Sequence, residues 1–178
     1  MIPNCISYDP TYAYEMSTII ENGRKRMHTH TENIFYYITA LNENYKHPEI
    51  PSHVKKEDIL KGMYLFKEFK NKGKANVQLF GSGSILNETI KAAEILSKDF
   101  GIDSDVWSIT SYSEIQREGA EILRWNQLHP DKKPKKTYIE KCLDGKSGPI
   151  IAASDYIRSH VCLLYTSDAA DELVCVVL

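Results

Sequence analysis

The alternation of apolar and polar positions changes character several times along this chain, and its clearest run extends from Asn76 to Thr110. Val77, Leu79 and Phe80 form a short apolar stretch that stops at Gly81-Ser-Gly-Ser84. From Ile85 to Phe100 the apolar residues fall three and four apart, Gly101 interrupts them, and Asp105-Val-Trp-Ser-Ile-Thr110 is β-branched and aromatic. Strand, glycine turn, amphipathic helix and strand in that order predict one βαβ unit of a parallel sheet.

The flanking segments follow the same logic. Asp9-Pro10 predicts a helix start, with Asp capping the first free amides and Pro at the first helical position. That helix should run to about Arg26 with Tyr12, Met16, Ile19 and Ile20 on its apolar face and Met27 near its end. Arg24-Lys25-Arg26 would form its solvated last turn. Asn33 to Leu41 is aromatic and β-branched without alternation, which predicts a parallel strand covered on both faces. Asn42 to His53 is polar and proline-containing, a candidate domain boundary or interface loop. Lys55 to Gly62 predicts a short helix closed by its glycine. Met63–Phe69, the hydrophilic Asn71-Lys-Gly-Lys74 and Val77–Phe80 together predict a hairpin. Ser111-Tyr-Ser-Glu114 fits a capping box ahead of a helix to about Asn126. Beyond it come a solvated loop with four lysines (His129 to Lys136), a helical turn (Tyr138 to Leu143), a buried strand (Gly148 to Ser154) and the opening of a helix at Asp155 to Arg158.

Composition narrows the function classes. With 178 residues and 42% apolar content the chain can bury a core of one good-sized domain or parts of two. Lys and Arg number 22 against 24 Asp and Glu, so no general attraction to nucleic acid or an anionic membrane follows. No run approaches the ~20 apolar residues of a membrane span, and Met1-Ile-Pro-Asn-Cys-Ile6 lacks the regions of a signal peptide, so a cytoplasmic location is expected. Cys5, Cys142, Cys162 and Cys175 are far apart, which argues against disulfides and structural zinc.

Four places are candidates for chemistry. Gly81-Ser-Gly-Ser84 has the layout of a phosphate cradle at a helix N-terminus. Leu86 nevertheless stands where a dinucleotide motif has its third glycine, there is no Walker lysine, and Asp105 opens the next strand instead of closing it, so a packing corner is the preferred reading. His28 and His30 could share a strand face, but no carboxylate or cysteine ligand lies beside them. Asn42-Glu43-Asn44-Tyr45 sits at the carboxyl end of the Ile34–Leu41 strand, where Glu43 could act as an acid or base or simply hold a loop. Cys5 has no basic neighbour in sequence and reads as a small hydrophobe.

Longer strings carry a resemblance. Ile2-Pro-Asn-Cys-Ile-Ser-Tyr-Asp-Pro-Thr-Tyr-Ala-Tyr-Glu15, Tyr36-Tyr-Ile-Thr39 with Leu41-Asn-Glu-Asn-Tyr45, Gly81-Ser-Gly-Ser-Ile-Leu86, Asp105-Val-Trp-Ser108 and Arg124-Trp-Asn126 with Leu128-His-Pro130 resemble the bacterial homodimeric pyruvate dehydrogenases. These are the acetyl-transferring first component of the pyruvate dehydrogenase complex, and the likeness runs in register from Ile2 to about Tyr156. It implies a transketolase-like α/β architecture in which an N-terminal domain holds the diphosphate and Mg of thiamine diphosphate and a middle domain holds its aminopyrimidine. Residues 1–48 would be the end of that middle domain, 49–62 a linker, and 63–161 a partial C-terminal α/β domain with a mostly parallel sheet. The resemblance places the Mg motif, the activating glutamate and the catalytic histidines before Met1, so no residue here receives a catalytic, cofactor-binding or metal-binding role.

The parent enzyme would be a homodimer that decarboxylates pyruvate and acetylates the lipoyl group of a dihydrolipoyl acetyltransferase core. The chain alone is expected to be inactive and to expose core faces. Two other readings are open: a small α/β phosphate- or nucleotide-binding module built on the glycine turn, and an association domain. Cys162-Leu-Leu-Tyr-Thr-Ser-Asp-Ala-Ala-Asp-Glu172 resembles a translated sequencing adapter, so 162–178 is expected to be an artefact and native sequence to end near Val161.

Overall fold

The computed structural model describes residues 2–70 and 75–156 and, as backbone, 173–177. Two parallel strands come first, β1 (Cys5–Tyr8) and β2 (Phe35–Ile38), paired from Cys5 opposite Phe35 to Tyr8 opposite Ile38. Helix α1 (Ala13–Arg24) and a π-helical turn (Lys25–Thr29) connect them. After a polar stretch comes α2 (Lys56–Leu60). The main sheet then forms from β3 (Met63–Phe69), β4 (Asn76–Gly81), β5 (Asp103–Ile109), β6 (Ile150–Ser154) and β7 (Leu173–Val177), in the order β3-β5-β4-β6-β7. Pairing is parallel except between β3 and β5.

Alternation along the central strands sorts two cores. Val77, Leu79 and Val106 face α3 (Ile85–Phe100) and pack on its Leu86 and Ala93. Phe80, Trp107 and Ile109 face the other way, against Tyr112 and Ile115 of α4 (Tyr112–Leu128), with α5 (Tyr138–Cys142) closing the edge. A third cluster joins Ile6, Tyr8 and Ile19 of the first segment to Val54, Ile59 and Tyr64 of the second. The chain crosses from β4 to β5 on one face and returns from β5 to β6 on the other, so the direction of winding reverses between β4 and β6.

Several expectations need correcting. The hairpin between Met63–Phe69 and Val77–Phe80 does not form: β3 lies antiparallel to β5, on the far side of β5 from β4. A hydrophilic connection between two apolar runs is compatible with either arrangement, and in the fold β5 takes the place between the two strands and pairs with both. Helix α1 starts at Ala13, not at Asp9-Pro10; its N-cap is Tyr12, and the N3 carboxylate of Glu15 accepts from the amides of Thr11 and Tyr12 at 2.5 and 2.8 Å. Its buried face is Glu15, Thr18, Ile19 and Gly23, while Ile20 is 53% exposed and Met27 is half-exposed. The Ile34–Leu41 strand is parallel but not covered on both faces, since Phe35 is 45% and Tyr37 59% exposed. Strand β1 was not anticipated. Only half of the capping box forms: Ser111 Oγ accepts from the Glu114 amide at 3.0 Å, whereas the Ser111 amide donates to the Gly62 carbonyl. Asp155 and Tyr156, where a helix was expected to open, form a bend; the remainder of that expected helix, to Arg158, and the stretch Cys162–Glu172 lie outside the described residues.

Candidate functional site

The reversal between β4 and β6 is where an open α/β sheet gathers a ligand. Here a cavity of about 210 Å³ opens at the carboxyl ends of the strands, lined by Asp9, Thr39, Leu41, Ser82, Gly83, Asp155 and Tyr156. Two pairs of parallel strands, one in each sheet, deliver most of these residues: Asp9 follows β1, Thr39 follows β2, Ser82 and Gly83 follow β4, and Asp155 and Tyr156 follow β6.

The glycine turn is already engaged by the first segment of the chain. The Gly83 amide donates to the Asp9 carbonyl at 3.3 Å, and Thr11 Oγ1 donates to the Gly83 carbonyl at 2.7 Å. Gly83 has φ +54°, and a Cβ there would meet Leu41 at 3.3 Å. At Gly81 a Cβ would lie 2.7 Å from Thr89 Oγ1 and 2.8 Å from the Leu86 Cα, so glycine is what lets α3 approach β4. Ser82 Oγ donates to Ser154 Oγ at 3.3 Å.

Asp9 organises the cavity floor. Its Oδ1 accepts from Thr39 Oγ1 at 2.8 Å and Tyr156 Oη at 2.6 Å, and its amide donates to the Thr110 carbonyl at 2.7 Å. Burial and the adjoining Asp9 carboxylate push the Tyr156 phenol above its ordinary value, which keeps it a donor. Asp155 adds a second carboxylate to the lining. The residues therefore do not fit a phosphate or a diphosphate: the turn's central amide has a protein partner and two carboxylates face the space an anion would need. Among the described residues no group of three His, Cys, Asp or Glu side chains is placed to hold a metal ion.

Beneath this corner lies Glu15, fully buried at the seam between the first segment and the sheet. Oε2 takes the Thr11 and Tyr12 amides, and Oε1 accepts from Tyr64 Oη of β3 at 2.6 Å and Ser108 Oγ of β5 at 2.7 Å. Burial pushes its carboxyl above the ordinary value of 4.5, against the pull of those four hydrogen bonds. Tyr14 Oη lies 2.6 Å from Tyr64 Oη and extends the network. Further bonds tie the seam. Tyr8 Oη donates to the Leu60 carbonyl, Ser111 Oγ donates to the Ser7 carbonyl, and the Arg117 guanidinium donates to the carbonyls of Pro3 and Cys5.

The other candidates fall apart from this corner. His28 and His30 are exposed at the end of the π-helical turn. Asn42, Glu43 and Asn44 lie on an exposed stretch that is anchored by its neighbours: Tyr45 Oη donates to the Thr11 carbonyl at 2.5 Å, and His47 Nδ1 accepts the Ala13 amide at 3.1 Å, capping α1. Cys5 is half-buried in β1, and Arg117 touches its carbonyl oxygen. Sequence reasoning missed Asp9 as a cavity residue and Glu15 as a buried link. The signal available for Glu15 was its place three residues after Tyr12, inside an otherwise apolar face; nothing local pointed to Thr39 or Tyr156.

A parallel sheet with one antiparallel edge, two helical layers and a preceding α/β segment locked onto its carboxyl edge defines a transketolase-like protein. The chain belongs to that family: residues 62–172 match the transketolase-like C-terminal domain. Residues 1–48 match the pyruvate dehydrogenase E1 component middle domain.

The relatives are pyruvate dehydrogenase E1 components of several bacteria, 41–52% identical. The chain is 52% identical to that of Pseudomonas aeruginosa over 159 residues, 89% of this chain and 18% of the relative. It is 45% identical to that of Escherichia coli over 172 residues, 96% of this chain and 19% of the relative. It thus spans about a fifth of the length of the curated relatives it matches. Among solved structures, a transketolase variant from Pichia stipitis superposes with a TM-score of 0.53 at 20% identity, over 85% of this chain and 18% of that one, a likeness of fold. The glycine-turn module remains a less favoured description, because both ends of Gly83 are bonded to the middle-domain segment.

Proposed function

We propose that this chain is the junction between the middle and C-terminal domains of a thiamine-diphosphate-dependent pyruvate dehydrogenase E1 component. The whole protein would be a cytoplasmic homodimer that uses thiamine diphosphate and Mg to decarboxylate pyruvate and passes the acetyl group to the lipoyl arm of a dihydrolipoyl acetyltransferase core. The observation that carries this reading is the serial match of the two domains, residues 1–48 and then 62–172, in a chain 52% identical to one E1 component. The role of the segment is to hold one domain's strands against the other's through Asp9, Thr11 and Glu15. Thiamine diphosphate, when bound by the whole protein, would supply the carbanion equivalent that decarboxylation of pyruvate requires, and the described residues would contribute by holding the two domains together. No helix among the described residues is long and apolar enough to cross a membrane.

A chimera tests the proposal. Residues 2–156 replace the aligned segment of the Pseudomonas aeruginosa relative, and pyruvate-dependent lipoyl acetylation is measured with and without thiamine diphosphate and Mg. Activity within about tenfold of the parent, dependent on both additions, is expected. A folded, cofactor-binding chimera without activity overturns the reading. The 178-residue chain alone should not decarboxylate pyruvate under the same conditions.

A further inference from the structure

Charge is balanced over the chain but not over the surface where α4 ends. Between His129 and Lys136 there are four lysines and one aspartate, and residues 130–136 are all exposed. Lys136 pairs with Asp144 at 3.1 Å, whereas Lys132, Lys133 and Lys135 have no ion pair among the described residues. Two of these ammonium groups gather instead over one indole: Lys135 Nζ lies 3.7 Å and Lys132 Nζ 5.8 Å from the Trp125 ring centre. His129 also stacks on that ring, with centroids 4.4 Å apart and planes 16° from parallel. Leu128, in the same helical turn, is 66% exposed.

The loop is held in shape without a partner. Asn126 Oδ1 accepts the Lys135 amide at 2.8 Å while its Nδ2 donates to the Lys135 carbonyl at 3.0 Å, and the Lys132 amide donates to the His129 carbonyl at 3.1 Å. His129 Nδ1 lies 2.8 Å from the Trp125 carbonyl. Each ammonium carries three N–H donors, so one over an indole face still has donors for a carboxylate. A surface already ordered loses little conformational freedom on binding.

We propose that the end of α4 and the 129–136 loop form a docking site for an acidic segment of a partner protein. The partner's carboxylates would meet Lys132, Lys133 and Lys135, and an apolar side chain would cover Leu128. Charge complementarity selects this occupant: three lysines without an ion pair among the described residues stand together on one short loop of a chain of net charge −2, whereas Lys25, Arg26, Lys56 and Lys70 are each paired with a carboxylate, and so short a basic stretch suits an acidic peptide better than the long backbone of a nucleic acid.

The probe is a blocked Glu-Glu-Leu-Glu-Glu peptide added to the 178-residue chain, with Gln-Gln-Leu-Gln-Gln as control. Binding is read by Trp fluorescence and by calorimetry. Trp107 is buried, so a change in emission reports Trp125. Saturable binding is expected at low salt, weaker by about tenfold or more at 0.2 M salt. It should be lost with Lys132→Glu, Lys133→Glu and Lys135→Glu combined, and reduced by Leu128→Asp. Circular dichroism and the unfolding midpoint should be unchanged in these surface variants. The proposal is overturned by any of three results: equal binding of the glutamine peptide, unchanged binding by the folded triple variant, or tighter binding of a single-stranded oligonucleotide than of the acidic peptide at equal ionic strength.

Discussion

β2 and β4 are both short parallel strands of aromatic and aliphatic residues, yet one lies in a two-stranded ribbon and the other at the centre of a five-stranded sheet. On β4 the residues Val77 to Gly81 are all buried; on β2 Phe35 and Tyr37 remain about half exposed. Apolar content makes each segment a strand, but burial depends on how many neighbours arrive on either side and above each face. β4 receives β5, β6 and two helical layers. β2 receives β1, the Tyr36 contact to Gly23 of α1, and a Tyr8–Tyr36 stack at 6.0 Å.

Hydrogen exchange should separate the two most widely. The amides of Leu79 and Phe80 should exchange only through global unfolding and those of Tyr36 and Tyr37 at least about a thousandfold faster, a gap of roughly 4 kcal/mol. Equal protection would erase the distinction. Truncation carries the comparison into stability: Phe80→Ala should cost about 3–5 kcal/mol in urea unfolding, and Phe35→Ala less than about 1 kcal/mol. Comparable losses would mean that β2 is covered in solution.

The seam between the regions should respond next. Glu15→Ala leaves two amides and two hydroxyls without their acceptor and should cost about 3 kcal/mol, whereas Glu15→Gln retains an acceptor for the amides and should cost less than half of that. Similar unfolding midpoints for the two variants would show that the carboxyl does not link the segments. At the corner itself, Gly81→Ala forces a Cβ against the Leu86 backbone and should cost about 1–3 kcal/mol, with α3 displaced from β4 in the structure of the variant.

Smallest is the pH response, and its sign differs between the seam and the sheet. The native carboxyl of Glu15 titrates above 4.5, so the folded protein holds a proton that the unfolded chain has lost. Its contribution is full below pH 4.5 and declines as pH rises through the shifted value. Asp105, buried in the sheet, behaves oppositely. Burial pushes its carboxyl up, but Lys70, Gln78 and Lys146 outweigh that and hold it below 3.8. Its contribution is present above pH 3.8 and lost as pH falls through the native value. Glu15→Gln should therefore flatten the alkaline side of the stability profile and Asp105→Asn the acid side; a profile unchanged by either substitution removes that group from the account.

Much of the sheet was legible because its signals are local. The run Val77–Phe80, the glycines, and the three-and-four spacing from Ile85 to Phe100 locate β4, α3 and β5 within a residue or two. The corner was less so. Gly81-Ser-Gly-Ser84 has the composition of an anion cradle, and what removes that use is Asp9, some seventy residues away in sequence, whose carbonyl takes the Gly83 amide. The start of α1 misled for a similar reason: Asp9 has the chemistry of a cap, but Thr39, Tyr156 and the Thr110 carbonyl compete for it and hold it outside the helix.

The sequence by itself determined the succession β4, α3, β5 and α4 with the glycine turn between the first two, and membership of the transketolase-like family, because periodicity, glycine positions and long residue strings act over short distances. Only the tertiary structure decided that β3 pairs with β5, that Glu15 is the buried link, and that the glycine turn is a closed corner. Each of these depends on which distant groups compete for the same amide, hydroxyl or strand edge, and that competition is resolved only when the whole chain has packed.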